Sequence, residues 1–272
     1  MIYKNIKLNE FYPILKDSEA YLSIYAYEPN KEYGLNFVRP AMIVVPGGGY
    51  EFVSYREKEP VAFKFLSEGF NCFVLTYSVY KAYPIPQTEL ACAFDYVRNH
   101  QKEFNLNGEI LLTGFSAGGH LVGSYGLKYK ELENLLKTNN FLKPNAIFMS
   151  YPVVNLVSDT HEGTANIISN KDLNLKKELS VDINLTSDYP PVYVWTTDID
   201  DAVPTNNTTR LVEALKKNNV ACGFDIFKNK LHGESICTRE TKLKYGILDE
   251  YDKEIYLWVS KALDFYYSKV KK

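Results

Sequence analysis

The sequence predicts an α/β protein built on one mostly parallel, twisted sheet of about eight strands, with helices on both faces. Three observations carry that expectation. From residue 41 onward, short apolar runs alternate with amphipathic segments of helical period. Several of those runs, 41–45 (Ala-Met-Ile-Val-Val) first among them, are apolar at every position, as strands covered on both faces are. The chain has 272 residues, 46% of them hydrophobic, and no repeat, low-complexity linker or break in composition divides it. Residues 1–272 therefore read as a single domain with a sizeable core.

Segments 1–8 and 21–27 alternate apolar and polar residues and read as half-buried strands, an antiparallel edge pair. After a polar loop over 30–40, strand 41–45 runs into Pro46-Gly47-Gly48-Gly49-Tyr50. A helix is expected over 57–68, with Val61, Phe65 and Leu66 on one face and Gly69 closing it. Strand 71–77 follows, then a helix from Pro86 to about His100, with Leu90, Phe94 and Val97 on one stripe. Strand 110–112 leads into a helix from Ala117, and 145–151 is a further buried strand. Segment 152–190 is polar and irregular, with one helical candidate near 172–179. It reads as a cover over the site. Strand 192–197, helix 204–218, strand 220–227 and an amphipathic helix over 250–269 complete the chain.

The formal net charge is −2, so no positive surplus advertises nucleic acid or an anionic membrane as a partner. Residues 1–11 hold no apolar leader core, and no run approaches the length of a membrane span. A soluble, cytoplasmic protein is the expectation. The four cysteines (Cys72, Cys92, Cys222 and Cys237) form no C-x-x-C pair and no zinc spacing with histidine. No metal and no cofactor are expected. The oligomeric state is not legible.

In open parallel sheets the chemistry gathers outside the carboxyl ends of the strands. Strand 110–113 ends in Gly114-Phe115-Ser116-Ala117-Gly118, with a helix after it. Gly-x-Ser-x-Gly arises by chance in roughly one chain in ten of this length. Between a strand and a helix it is the pattern of a nucleophile elbow, a strained turn that exposes a serine Oγ. Strand 192–197 ends in Asp198-Ile199-Asp200-Asp201, and strand 220–227 is followed by Leu231-His232-Gly233. Acyl transfer needs a nucleophile, a base, a group that orients the base and donors for an oxyanion. These loops supply them in the order Ser…Asp…His.

A lone His-Gly is ordinarily a surface loop, but of the other histidines His100 ends a helix, His120 follows the elbow and His161 precedes the acid strand. None of them fits the order. Asp198, Asp200 and Asp201 are all candidates for the acid, with Asp159 a weaker one, and spacing does not choose among them. The glycines after strand 41–45 complete no phosphate-binding pattern. They suit an oxyanion hole formed by the N–H groups of Gly48 and Gly49 with that of Ala117.

The runs Pro46-Gly47-Gly48-Gly49-Tyr50, Ser54-x-Arg56-Glu57-x-Glu59-Pro60-Val61-Ala62, Tyr77-Ser78-Val79 and Gly114-Phe115-Ser116-Ala117-Gly118-Gly119-His120-Leu121 resemble the bacterial α/β-hydrolase esterases. Within them the chain is most similar to the acetyl-esterase and acetylxylan-esterase-like group, from about residue 20 to the C-terminus. The resemblance implies the α/β-hydrolase fold without a large lid domain, and a Ser116–Asp200–His232 triad. Asp200 is singled out because the family acid lies four residues before the proline that Pro204 matches. Pro46 stands where related lipases have histidine, as it does in this group. Arg56 and Glu59 match a recurring feature of the family and read as an ion pair that holds the oxyanion loop, with substrate contact as the alternative. The expected activity is hydrolysis of a short acyl ester, acetyl in the first instance, of a sugar or another small molecule. A peptidase or amidase on the same triad, and a non-catalytic binding protein of this fold, are the alternatives.

Overall fold

The computed structural model describes residues 1–244, 247–248 and 252–271. Its eight-stranded sheet runs in the order β1-β2-β4-β3-β5-β6-β7-β8. The strands are β1 (Ile2–Lys7), β2 (Tyr21–Ala26), β3 (Arg39–Val45), β4 (Asn71–Thr76), β5 (Leu106–Phe115), β6 (Ile147–Ser150), β7 (Val192–Thr197) and β8 (Cys222–Phe227). β1 pairs antiparallel with β2, and β2 with β4, while every later pairing is parallel. The fold is that of an α/β hydrolase.

Side-chain alternation explains why β3 is apolar throughout. Ile43 and Val45 enter one buried cluster with Leu90, Phe94, Leu121 and Tyr125, from helices α2 (Ile85–Asn99) and α3 (Ala117–Leu136). Met42 and Val44 enter another with Phe65 and Trp258, from α1 (Glu59–Ser67) and a helix near the C-terminus. A strand with a core on each side has no polar face to offer.

The chain leaves β3 for β4 on one side and returns to β5 on the other. The strand order therefore reverses between β3 and β5, which opens a crevice at their carboxyl ends, where open α/β sheets bind ligands. The triple glycine and Ser116 lie in the two loops that flank it.

Four segments depart from expectation. The helix expected from 57 begins at Glu59, because residues Tyr55–Glu57 form a separate 3-10 turn and Pro60 occupies the first helical turn. Segment 152–190 is more ordered than its composition implies: it holds α4 (Glu162–Ser169), α5 (Leu173–Leu179) and α6 (Val181–Asn184). His161 and Asp172 cap the first two through their side chains.

The single closing helix divides into α8 (Lys253–Tyr256), α9 (Trp258–Phe265) and a π turn over Tyr266–Val270. Residues 250 and 251, its expected start, lie outside the described residues. A short antiparallel pair, β9 (Leu243–Lys244) and β10 (Ile247–Leu248), was not expected. Among the described residues no helix is long and apolar enough to cross a membrane.

Candidate active site

Ser116 joins β5 to α3 with φ +51°, a left-handed conformation that side chains other than glycine rarely adopt. Close packing enforces it. A Cβ at Gly118 would collide with the carbonyl oxygens of Pro46 and Val45, and one at Gly114 with the backbone of Gly118. Only hydrogen at these positions lets the start of α3 pass directly under β3, so the serine is pushed out of the turn.

The structure brings Ser116, His232 and Asp200 into one line. Ser116 Oγ lies 2.9 Å from His232 Nε2, and His232 Nδ1 lies 2.7 Å from Asp200 Oδ2. The Asp200 side chain is fully buried, while that of His232 is 17% exposed. The second carboxylate oxygen of Asp200 accepts the N–H groups of Ala202 (3.0 Å) and Val203 (2.7 Å), so the turn before α7 (Asn206–Lys217) aims the acid.

The neighbouring aspartates have other partners. Asp198 accepts from the Asn229 N–H at 2.7 Å, and Asp201 from the His232 backbone N–H at 3.2 Å. Asp159 binds Arg210 at 2.6 Å. Geometry therefore separates four carboxylates that spacing does not, and Asp200 alone reaches the imidazole ring.

The glycine loop is clamped on both sides of its centre. Glu57 Oε2 accepts the Gly47 N–H at 2.8 Å, and Tyr77 OH donates to the Pro46 carbonyl at 2.9 Å. On the other side, Tyr50 OH lies 2.9 Å from His120 Nδ1, and the Tyr50 carbonyl accepts from Tyr80 N–H at 2.7 Å. Between the clamps Gly48 adopts φ +124°, where a side chain would strike the Phe52 carbonyl. Among the described residues no acceptor takes up the N–H of Gly48, Gly49 or Ala117. All three residues belong to the loops that meet at the crevice.

His120 is buried and takes no part in the Ser116 line. Its Nε2 lies 3.1 Å from the Leu179 carbonyl, so Nε2 carries the proton and Nδ1 accepts from Tyr50 OH. Burial pushes its pKa down to about 4, against the smaller opposing pull of the Leu179 carbonyl.

The pairing expected of Arg56 and Glu59 is not what forms. Arg56 donates to the carbonyls of Gly233 (3.0 Å) and Thr241 (3.1 Å), while Glu59 accepts from Tyr25 OH at 3.3 Å. The break at Lys58, between the 3-10 turn and α1, turns the two side chains to different surroundings. Arg56 holds the histidine loop, and Glu57 holds the glycine loop.

Sequence reasoning missed Glu57 and Tyr151. The buried Tyr151 OH donates to Glu57 Oε1 at 2.7 Å and accepts the Ser235 N–H at 2.9 Å. Its ring meets the His232 ring edge-on, with centroids 4.8 Å apart. The position of Tyr151 directly after β6, at the carboxyl end of the strands, is the one signal that could have found it. His161 and Glu51 were missed as well. They line the same cavity as Ser116, His232, Gly48 and Gly49, a space of about 760 Å³. Among the described residues no cluster of His, Cys, Asp and Glu is suited to hold a metal ion.

Comparison with known proteins gives the family and the fold. The BD-FAE family model matches residues 24–215. An endo-1,4-beta-xylanase B of Butyrivibrio fibrisolvens is 27% identical over 216 residues, which are 74% of this chain and 33% of that protein. The chain thus spans about a third of that relative's length.

Among solved structures, a carboxylesterase of Lactobacillus plantarum WCFS1 superposes with a TM-score of 0.86 at 24% identity, covering 99% of this chain and 98% of that one. An acetyl ester-xyloside bifunctional hydrolase from Caldicellulosiruptor lactoaceticus matches with a TM-score of 0.76 at 28% identity, over 92% and 88% of the two chains. A sugar hydrolase from Lactococcus lactis matches at 0.78 and 26%, over 99% of each.

Proposed function

The chain belongs to the BD-FAE family, and on that premise we propose that it is a serine carboxylic-ester hydrolase that removes short acyl groups, acetyl in the first instance, from a sugar or other small ester. One observation carries the reading. A serine in a strained turn, an imidazole and a buried carboxylate stand in hydrogen-bonding sequence beside three backbone N–H groups that have no acceptor among the described residues. The xyloside, xylanase and sugar-hydrolase names of the relatives support a carbohydrate ester as substrate.

In this reading Ser116 Oγ attacks the ester carbonyl carbon as its proton passes to His232 Nε2. Asp200 accepts from Nδ1–H, which keeps Nε2 an acceptor and stabilises the imidazolium that forms. The N–H groups of Gly48, Gly49 and Ala117 hold the oxyanion, whose charge is larger than that of the ground-state carbonyl, so the transition state gains more than the substrate. His232 returns the proton to the leaving alcohol. The same ring then deprotonates a water that opens the acyl-enzyme.

The test is kcat/KM on 4-nitrophenyl esters of rising chain length and on acetylated sugars. The expected profile peaks at acetyl and extends to sugar acetates, and Ser116→Ala abolishes it. Wild-type turnover by purified Ser116→Ala would overturn the mechanism. A maximum at long acyl chains would overturn the substrate.

A further inference from the structure

We propose that Glu51 and His161 form a hydroxyl-recognition pair in the catalytic cavity, which selects esters of polyols, sugars above all, over esters of simple alcohols. The inference rests on the ester-hydrolase reading above and names the groups that would recognise the alcohol.

The cavity of about 760 Å³ is far larger than an acetyl group, so it has room for an alcohol of sugar size. Among the Glu and His side chains of its wall, Glu51 and the Nε2 edge of His161 take no part in the triad or in the Glu57 and Arg56 clamps. Glu51 follows the glycine loop, and His161 caps α4 in the segment between β6 and β7. They converge on one spot. A Cβ at Gly163 would lie 3.1 Å from His161 Cε1 and 3.2 Å from Glu51 Oε1, and a Cβ at Gly49 would lie 3.6 Å from His161 Cε1. The pair therefore stands beside an N–H that the mechanism assigns to the oxyanion.

The chemistry of His161 is settled by its cap. Nδ1 accepts the Thr164 N–H at 3.2 Å and lies 2.9 Å from the Thr164 hydroxyl. In the neutral ring the proton must then sit on Nε2. That Nε2–H has no acceptor among the described residues. Glu51 is the reverse, an acceptor whose carboxylate has no hydrogen-bond donor among them. A donor held by its helix cap and an exposed carboxylate acceptor on the same cavity wall match a sugar hydroxyl or a vicinal diol, in which each oxygen both gives and takes a hydrogen bond. A simple alkyl alcohol offers nothing to either group. The sugar ester gains hydrogen bonds to the pair that a simple alkyl ester cannot make, so the pair favours the sugar ester.

The experiment measures kcat/KM for an acetylated xylose and for 4-nitrophenyl acetate in wild type, Glu51→Gln, Glu51→Ala, His161→Asn and the double variant. Asparagine keeps a side-chain acceptor for the helix cap and removes the ring N–H. The ratio of sugar ester to 4-nitrophenyl ester is expected to fall about tenfold in each single alanine or asparagine variant, mostly through KM. The fall in the double variant should be smaller than the product of the two. A ratio within twofold of wild type in Glu51→Ala and His161→Asn overturns the pair. So does a wild type that cleaves ethyl acetate as well as the sugar acetate. If ester hydrolysis itself is absent, the ester-hydrolase reading fails. If it persists with an unmoved ratio, only the pair fails.

Discussion

The serine elbow and the histidine loop meet at one hydrogen bond, yet they are held in opposite ways. The elbow is fixed by close approach of backbone: Gly114 and Gly118 let β5, α3 and the end of β3 touch, and the strain at Ser116 follows. The loop carrying His232 follows a strand at the edge of the sheet and is held by side chains from distant parts of the chain. Arg56 donates to Gly233 and Thr241, Tyr151 OH accepts from Ser235 N–H, and Trp258 Nε1–H donates to the Ser235 carbonyl at 3.0 Å. One half of the site is a local motif, and the other is a tertiary assembly. Damage to the first should act through the fold, and damage to the second through alignment.

The largest effect is expected where the two halves are joined. Asp200→Asn keeps the shape but favours the wrong imidazole tautomer, so kcat should fall by about ten-thousandfold. Asp198→Asn and Asp201→Asn, whose carboxylates bind backbone N–H groups of the histidine loop, should cost about tenfold or less. Steady-state kinetics on 4-nitrophenyl acetate gives the ranking, and the reverse order would reassign the acid.

Gly118→Ala tests the elbow. Its methyl group meets backbone rather than a yielding side chain. It should destabilise by about 3 kcal/mol or more, read from urea unfolding, with activity lost in step with folded protein.

His120, under the glycine loop, links that half to pH. Its folded pKa of about 4 lies below the ordinary 6.5, so the unfolded chain binds the proton more readily. The stability from neutral burial is complete above pH 6.5 and is lost as pH falls towards 4, on the order of 3 kcal/mol in all. Replacement by Gln should remove that portion of the slope in unfolding measured from pH 7.5 to 4. An unchanged slope would contradict a neutral buried ring.

Tyr151→Phe tests the histidine loop. It leaves a Glu57 oxygen and the Ser235 N–H without their partner, for about 2 kcal/mol of stability. A further fall of about tenfold in kcat/KM should persist in fully folded protein. A variant that loses stability alone would make Tyr151 a core residue and no more.

What was legible in the sequence follows the same division. The elbow announces itself because glycine spacing records backbone approach directly, and apolar runs record which strands have a core on both faces. The order Ser…Asp…His places three loops at one end of the sheet. The supports of the histidine loop are not written locally. Arg56 and Glu59 look like a pair three residues apart, but the chain breaks at Lys58, and the resemblance placed the loop-holding acid two residues late. Tyr151, 81 positions from His232 in sequence, reads as the end of a buried strand until the fold sets its ring against the imidazole. Segment 152–190 looks irregular because its helices are short and depend on caps such as His161 and Asp172 rather than on long apolar stripes.

The central claim is that Ser116 is the activated nucleophile of this assembly. A fluorophosphonate probe followed by mass mapping of the modified peptide tests it directly. One adduct per chain is expected, on Ser116, absent in Ser116→Ala and slowed by orders of magnitude in Asp200→Asn. No adduct in a folded sample, or an adduct that survives Ser116→Ala, would contradict it.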